Sequence, residues 1–428
     1  MTAPAAGIAV SNGDGVSGNP TLALANDLAA LEGLAATGLA VRSSADTWVQ
    51  RQLTAPAAGI TITNPDGVAG NPTFALANDL AGLEGLAGKG IPRRNANGTW
   101  TLAPAPSVPQ RSYLAGATWL ASTSSADLTW TSVTWSAELG LYCAVANDGS
   151  GSTVMTSADG ITWTARTPSS TAAWAAVTWA AELGLFVAVG GTASGMTSPD
   201  GITWTARTLP TASTSWNALT WAAELGLLVA CGANTTSGVA TSPDGVTWTA
   251  RTTSSRTFQG ITWSPELGLL VVVAGSGTGT RVETSPDGIT WTLRTTPNDF
   301  SWQSVSWSPY LSLFAAVAGS GTGNRVMTSP DGITWTARAA SDDTKAWRSV
   351  KWAPEIGLFV AVGSAASTAN IMVSADGVTW TAATGPNTNT WFGLSWSPQL
   401  GLFAAVGQSG TGNRAMTSVS MFKYPYRS

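Results

Sequence analysis

Few residues in this chain have chemistry to offer. Its 428 residues hold 24 Asp and Glu, 20 Lys and Arg, and no histidine. Without imidazole, Ser-His-Asp and Cys-His nucleophiles and the usual transition-metal ligand sets fall away. Cys143 and Cys231 lie in separate apolar runs and read as small buried hydrophobes, not as a disulfide. The arginines that follow no period, Arg256, Arg281, Arg325, Arg348 and Arg414, are candidates for gripping an anion. A hydrolytic site built on three of them would need a tyrosine and an acid on the same face. Tyr310 instead falls in a turn on the opposite face, leaving Tyr142. Asn12 with Asp14 and Asn64 with Asp66 hint at Ca²⁺ ligation, but Asn-Gly-Asp-Gly reads first as a hairpin turn. No catalytic residue, metal or cofactor is expected.

The remaining carboxylates recur, and their recurrence defines the elements that carry them. Six copies of S-x-D-G-x-T-W place Asp159, Asp200, Asp244, Asp287, Asp331 and Asp376 in Asp-Gly turns between β-rich runs. A second element keeps step: an aromatic, then a Trp five residues on, at 135, 179, 221, 263, 307, 352 and 396. The spacings are 44, 42, 42, 44, 45 and 44 residues, and such a period with β-type composition marks a propeller blade. In the second copy, residues 174–180 predict the inner strand, 185–189 and 195–198 the next two, and 202–207 the outer one. Each turn Asp can accept backbone N–H groups of its own turn. The Trp that follows should pack against the neighbouring sheet, and truncating it to Ala would cost about 3–5 kcal/mol. Glu138, Glu182, Glu224, Glu266 and Glu355 share one turn position with Tyr310 and Gln399, which reads as scaffold. Arg166, Arg207, Arg251, Arg294 and Arg338 read as exposed outer-strand cations.

The ends complement each other. Seven inner elements meet only six Asp-Gly turns, Gly116-Ala117-Thr118-Trp119 matches G-I-T-W, and the last copy stops at Thr417-Ser418. The first segment is therefore expected to complete the last blade, a mixed-chain closure that leaves no free edge. The expected fold is all-β: a seven-bladed propeller of four-stranded blades, preceded by a small repeat-built, oligomerising N-terminal region. The S-x-D-G-x-T-W motifs resemble the Asp-box, or BNR, repeats of propellers found in sialidases, sortilin-type receptors and many secreted or surface proteins. In that family the Asp box is a structural turn, so the six aspartates are expected to hold the fold rather than do chemistry.

The first 107 residues differ. T-A-P-A-A-G-I begins at Thr2 and again at Thr54, and both copies continue through N-x-D-G-V-x-G-N-P-T to a Trp, Trp48 or Trp100. Each copy predicts two brief β runs and a short helix with Leu28, Leu31 and Leu34 (then Leu80, Leu83 and Leu86) on one stripe. About 50 residues of this kind struggle to build a core alone, so burial against other copies is expected. The segments 7–21 and 42–48 resemble the repeat-built shafts of bacteriophage tail or head fibres. That resemblance implies attachment to other virion proteins, a trimer, and a receptor-binding tip. The expected domains are repeats at 1–53 and 54–102, a Pro-rich linker at 103–111, the propeller at 112–421 and a tail at 422–428.

Composition sets limits. Charged residues are 10% of the chain and the net charge is −4, so there is no basic footprint for nucleic acid. The longest apolar run, residues 267–274, is too short to span a bilayer, and the N-terminus lacks the pattern of a secretory signal. These features fit a virion protein made in the host cytoplasm and binding a host-surface polysaccharide or protein. A virion decoration without its own receptor and a free bacterial lectin or adhesin are the alternatives.

Comparison of copies within the chain locates the recognition surface. The first turn and the Asp-Gly turn hardly change, while the loops on the other face vary. Varied loops on a rigid scaffold are where recognition usually sits. The candidates there are Arg256, Phe258, Arg281, Asp299, Phe300, Arg325, Asp342, Lys345, Arg348, Asn387, Asn389 and Arg414. Planar polar groups and aromatic rings of this kind would suit a glycan.

Overall fold

The computed structural model describes residues 116–420, apart from 150, 235–236 and 365–366. Upstream it describes 8–11, 16, 21–24, 31, 34, 39–44, 47–54, 60–65, 71–76, 91–94 and 100–103. The chain divides into two compact units, Met1–Ser107 and Val108–Ser428.

In the first unit each 52-residue copy makes two antiparallel hairpins in the same register. Ile8–Ser11 pairs with Thr21–Leu24 and Ile60–Thr63 with Thr73–Leu76, Ile8 facing Leu24 as Ile60 faces Leu76. Leu39–Ser44 then pairs with Thr47–Arg51, and Ile91–Arg94 with Trp100–Ala103. Each copy thus has four strands where its composition predicts two, because Arg42-Ser43-Ser44 and Trp48 extend into a second ladder. Ala103, expected to open the linker, ends a strand instead. Of the leucine stripe, Leu31 is helical and exposed. Leu28, Leu80, Leu83 and Leu86, the rest of the linker and the tail lie outside the described residues.

In the second unit, four-stranded antiparallel sheets repeat along the chain. One is typical: Trp174–Ala180, Leu185–Gly190, Ser194–Ser198 and Thr205–Thr208, hydrogen-bonded in that order. Trp130–Ser136, Trp302–Ser308 and Ala346–Ala353 begin sheets of the same plan. Those beginning at Ser215–Ala222 and Arg256–Ser264 are joined by a two-residue ladder, Ala233 to Thr257 and Asn234 to Arg256. The last sheet takes its first three strands from Trp391–Ser397, Leu402–Gly407 and Ala415–Ser418. Its fourth is Trp119–Ser122 from the start of the unit, with Ala415 facing Ser122 and Ser418 facing Trp119. Successive first strands pack side by side, and Trp391–Ser397 packs on Trp130–Ser136, so the sheets close into a ring.

The core lies between sheets. Trp130, Trp174, Trp216, Phe258, Trp302, Trp347 and Trp391, one from each first strand, are fully buried. A second-strand aromatic is held between two tryptophans of its own sheet. Phe186 lies 4.7 Å from Trp179 and 6.5 Å from Trp204, ring centre to ring centre, and Phe403 lies 4.7 Å from Trp396 and 6.1 Å from Trp119. Trp119, from the borrowed strand, thus fills the place of an Asp-Gly-turn tryptophan, and its indole N–H donates to Gly116 O as Trp163's does to Gly160 O.

The Asp-Gly turns repeat almost atom for atom. In one, Asp200 Oδ1 accepts the amides of Ile202 and Thr203, each at 2.8 Å, and the hydroxyl of Ser198 at 3.0 Å. Gly201 turns the chain at φ +72°, where a side chain would be strained. Arg166, Arg207, Arg251, Arg294 and Arg338 are not the exposed cations expected. Each is half-buried and its Nε donates to a third-strand threonine, as Arg207 does to Thr197 at 3.0 Å.

The opposite turn ties sheet to sheet. Trp179 donates to Glu138 Oε2 at 2.5 Å, Trp307 to Glu266 at 2.7 Å, Trp396 to Glu355 at 2.6 Å and Trp135 to Gln399 at 2.7 Å. Trp221 and Trp263 bond Glu182 and Glu224 in the same way. Cys143 and Cys231 are buried free thiols.

Candidate functional site

Every first strand carries one β-bulge. The register slips between Trp130 and Ser132, Trp174 and Ala176, Trp216 and Ala218, Phe258 and Gly260, Trp302 and Ser304, Trp347 and Ser349, and Trp391 and Gly393. The residue left out of the ladder is Thr131, Ala175, Asn217, Gln259, Gln303, Arg348 or Phe392, and each lines a central cavity of about 360 Å³. A bulge residue has no cross-strand partner to satisfy and is aimed away from the ladder. Its identity is therefore free to vary, and here four of the seven are large: Gln259, Gln303, Arg348 and Phe392 stand on consecutive sheets.

Arg348 organises this side. Its guanidinium sits 4.9 Å above the Phe392 ring and donates through one terminal nitrogen to Gln303 Oε1 at 3.1 Å, while its Nε has no acceptor. Burial lowers its pKa from the ordinary arginine value. Lys351, further along the same strand, faces the same cavity. The corresponding positions of other first strands are hydroxyl residues, among them Thr134, Thr178, Thr220, Thr262 and Ser395. Solvent reaches Lys351 along the cavity, but protein surrounds it, and that desolvation lowers its pKa from the ordinary lysine value. No carboxylate stands among the residues lining the cavity. Among the described residues, no group of three or more Cys, Asp or Glu side chains could hold a metal ion, and no helix is long and apolar enough to cross a membrane.

Several solved structures share this arrangement of sheets. YCF48 bound to D1 peptide superposes with TM-score 0.53 at 16% identity, over 71% of this chain and 97% of that one. YCF48 from Cyanidioschyzon merolae gives 0.52 at 12% identity, over 72% and 100%. A streptogramin B lyase gives 0.57 at 10% identity, over 70% and 96%. The fold is a β-propeller. Its neighbours include a lyase as well as a protein bound to a peptide, so the propeller alone decides neither for nor against an enzyme. No protein-family model matches the chain, and no curated protein matches it in sequence.

The propeller uses most of the varied loop residues to build its own loops. Arg281 Nε donates to Gly277 O at 2.7 Å and pairs with Asp299 at 3.6 Å, while Asp299 also caps the Gly279 amide at 2.6 Å. Arg325 repeats this on Gly321 O with Asp343 capping its own amide, and Arg414 on Gly410 O with Asp127 at 3.8 Å. Phe300 packs by Trp302, 6.0 Å away, and leaves no room for a side chain at Gly321. Asn389 is 6% exposed and donates to Asn413, while the Asn387 side chain accepts the Asn389 amide. Asp342 caps Thr344 at 2.9 Å and pairs with Lys345, 3.5 Å away. Arg325 and Lys345 do meet, on a second hollow shared with Ser364 and Ser367.

Two expected contacts are corrected. Phe258 is wholly buried as the core aromatic of its strand and cannot touch a ligand. Arg256 faces inward to Glu283, 4.0 Å away, and to Ser254 and Thr280. Glu283 is 1% exposed at a third-strand position held elsewhere by Met155, Met196 or Met327, and burial raises its pKa. Arg256 therefore offsets a buried acid. Of the twelve candidates, Arg348 alone lines the central cavity. Gln259, Gln303, Lys351, Phe392 and Gln408 are the residues the sequence reading missed. For Gln259, Gln303 and Phe392 the signal was the varied position directly after each buried aromatic, and for Lys351 a cation where the other first strands carry Thr or Ser.

Proposed function

We propose that this protein is a fibre-type component of a virus particle, with a seven-bladed Asp-box propeller carried on a repeat-built N-terminal shaft. The shaft joins it to the virion, and the mouth of the propeller binds a host-surface glycan without catalysing a reaction. The observation that carries the reading is the loss of repeat symmetry at the bulge positions. Sheets that repeat the flanking aromatic, the later Trp and the small or aliphatic positions between them carry Gln259, Gln303, Arg348 and Phe392 there, where fold alone would accept the Ala175 of the second sheet. An aromatic face, planar amides and a cation are the groups that recognise sugars through stacking and paired hydrogen bonds. The exposed Leu31, Val41 and Phe74 of the first unit support its assembly with further copies.

The test is adsorption of the full-length protein to candidate host cells. Gln303→Ala, Arg348→Ala and Phe392→Ala copy the natural Ala175 bulge and should keep the fold while abolishing saturable adsorption. Adsorption unchanged in all three would move the site off the mouth. No adsorption by the wild type would favour a decoration protein without its own receptor.

A further inference from the structure

The cavity is electrostatically one-sided in a way the chain as a whole is not. The protein is net acidic, yet the cavity holds two cations and no carboxylate. The other loop cations discussed above have local uses: Arg281, Arg325 and Arg414 donate to carbonyls four residues back, Arg256 answers Glu283, and Lys345 pairs with Asp342. Arg348 and Lys351 differ. Arg348 is bonded only to a neutral amide, with its Nε buried and unpaired, and among the described residues Lys351 has neither an ion pair nor a hydrogen bond. The bulge brings both to one side of the strand. It inserts Arg348 beside Ser349, and Lys351 follows two residues later, so these three face the cavity together. Lys351 also replaces a hydroxyl that suffices for the fold elsewhere, as at Thr178 or Thr220. Two cations left unpaired in a partly desolvated cavity are costly to the folded protein unless a ligand supplies the countercharge.

We propose that the propeller mouth binds an acidic saccharide, with the sugar's anionic group seated between Arg348 and Lys351 and the pyranose ring lying against Phe392 and the Gln303 amide. This deepens the glycan-binding reading and rests on it. Arg348 offers the terminal guanidinium N–H groups that Gln303 leaves unused as planar donors, and Lys351 adds a point charge. The saccharide bears a carboxylate, as in a uronic acid, since the planar guanidinium edge left by Gln303, with one ammonium beside it, suits a single carboxylate.

The chain has only four lysines, Lys89, Lys345, Lys351 and Lys423, so ¹³C-dimethylation of the full-length protein gives a readable lysine spectrum while keeping each charge. Titration with glucuronate should move the Lys351 methyl resonance saturably. Glucose, the neutral match, should leave it in place, and inorganic phosphate should move it less at equal concentration. Arg348→Gln should weaken the glucuronate response at least tenfold. Lys351→Thr, which restores the residue used in other sheets, should remove the signal without lowering the melting temperature and should cut host-cell adsorption. A Lys351 signal indifferent to glucuronate overturns the proposal. A response to phosphate equal to that for glucuronate overturns its saccharide half and leaves a bare anion seat. Full adsorption by Lys351→Thr would sink the acidic-ligand inference but spare the receptor reading, whereas absent wild-type adsorption beside an intact glucuronate response would do the reverse.

Discussion

Trp352 is the one indole in its ring of sheet-to-sheet hydrogen bonds that finds no acceptor, because Tyr310 stands where the turn should offer a carboxylate. The six other tryptophans of that ring donate to Glu138, Glu182, Glu224, Glu266, Glu355 or Gln399. Trp352 is 8% exposed with its Nε1 unpaired, and Tyr310 points to solvent at 76% exposure. A buried donor left unmade costs about 1–3 kcal/mol. Tyr310→Glu should recover about 1 kcal/mol of that, read as a higher urea midpoint at unchanged slope. An unchanged midpoint would mean that water already serves Trp352.

Arg256 and Glu283 form a buried pair that should behave asymmetrically under mutation. Removing the cation alone strands the acid, so Arg256→Ala should destabilise by about 3 kcal/mol. Arg256→Ala with Glu283→Met, the residue found in equivalent strands, should restore most of the loss. Calorimetry of the two variants decides, and equal melting temperatures would contradict the pairing. A binding defect in Arg256→Ala alone would therefore report on the fold.

The loop clamps and the mouth should separate stability from binding. Arg325→Ala removes two bonds to Gly321 O and one to Lys345 O, so its loop should become faster in hydrogen exchange. Arg348→Ala, at the bulge position that Ala175 fills in the second sheet, should leave exchange nearly unchanged and abolish adsorption. The reverse pattern would move recognition out to the loops.

Acid should loosen the Asp-Gly turns. Asp244 is held below the ordinary aspartate value of 3.8, first by the Thr247 amide, against desolvation, with Val246 and Ser242 adding to it. At Asp159, Asp200, Asp287, Asp331 and Asp376, desolvation is the largest single influence and acts upward, but the same bonds together outweigh it. With folded values below unfolded ones, their stabilisation is complete above about the ordinary value and is lost as pH falls through the folded values. Glu283, raised by burial, works the other way and favours the folded state more as it protonates. The melting temperature should hold from neutral pH to about 5 and fall below about 4, and Asp200→Asn should shallow that fall. A melting curve flat through that acid range would refute it.

The scaffold was legible because repetition amplifies it. Seven tryptophans at near-constant spacing, six Asp-Gly turns and the stray Gly116–Trp119 segment constrain the pairing of strands together. The site was less legible because sequence variation has two physical causes that look alike. Arg281 and Arg348 both depart from the repeat, yet one folds onto its own loop's carbonyls and the other is held into a cavity by a bulge. The bulge itself has no compositional mark, since Ala175 and Phe392 occupy the same backbone position. Phe258 misled for the opposite reason: it varied from Trp only by substituting one buried aromatic for another.

The strand that completes the ring, Trp119–Ser122, is the first of the ring to leave the ribosome, and its ladder partner Ala415–Ser418 is the last. During synthesis the early strand has nothing to pair with while sheet after sheet forms behind it. The finished ring therefore reports that the whole domain has been made, and a chain ending even a few residues before Ala415 would expose an unpaired edge at both sides of the gap. Closure acts as a length check on translation, passed only by chains that reach their final strand.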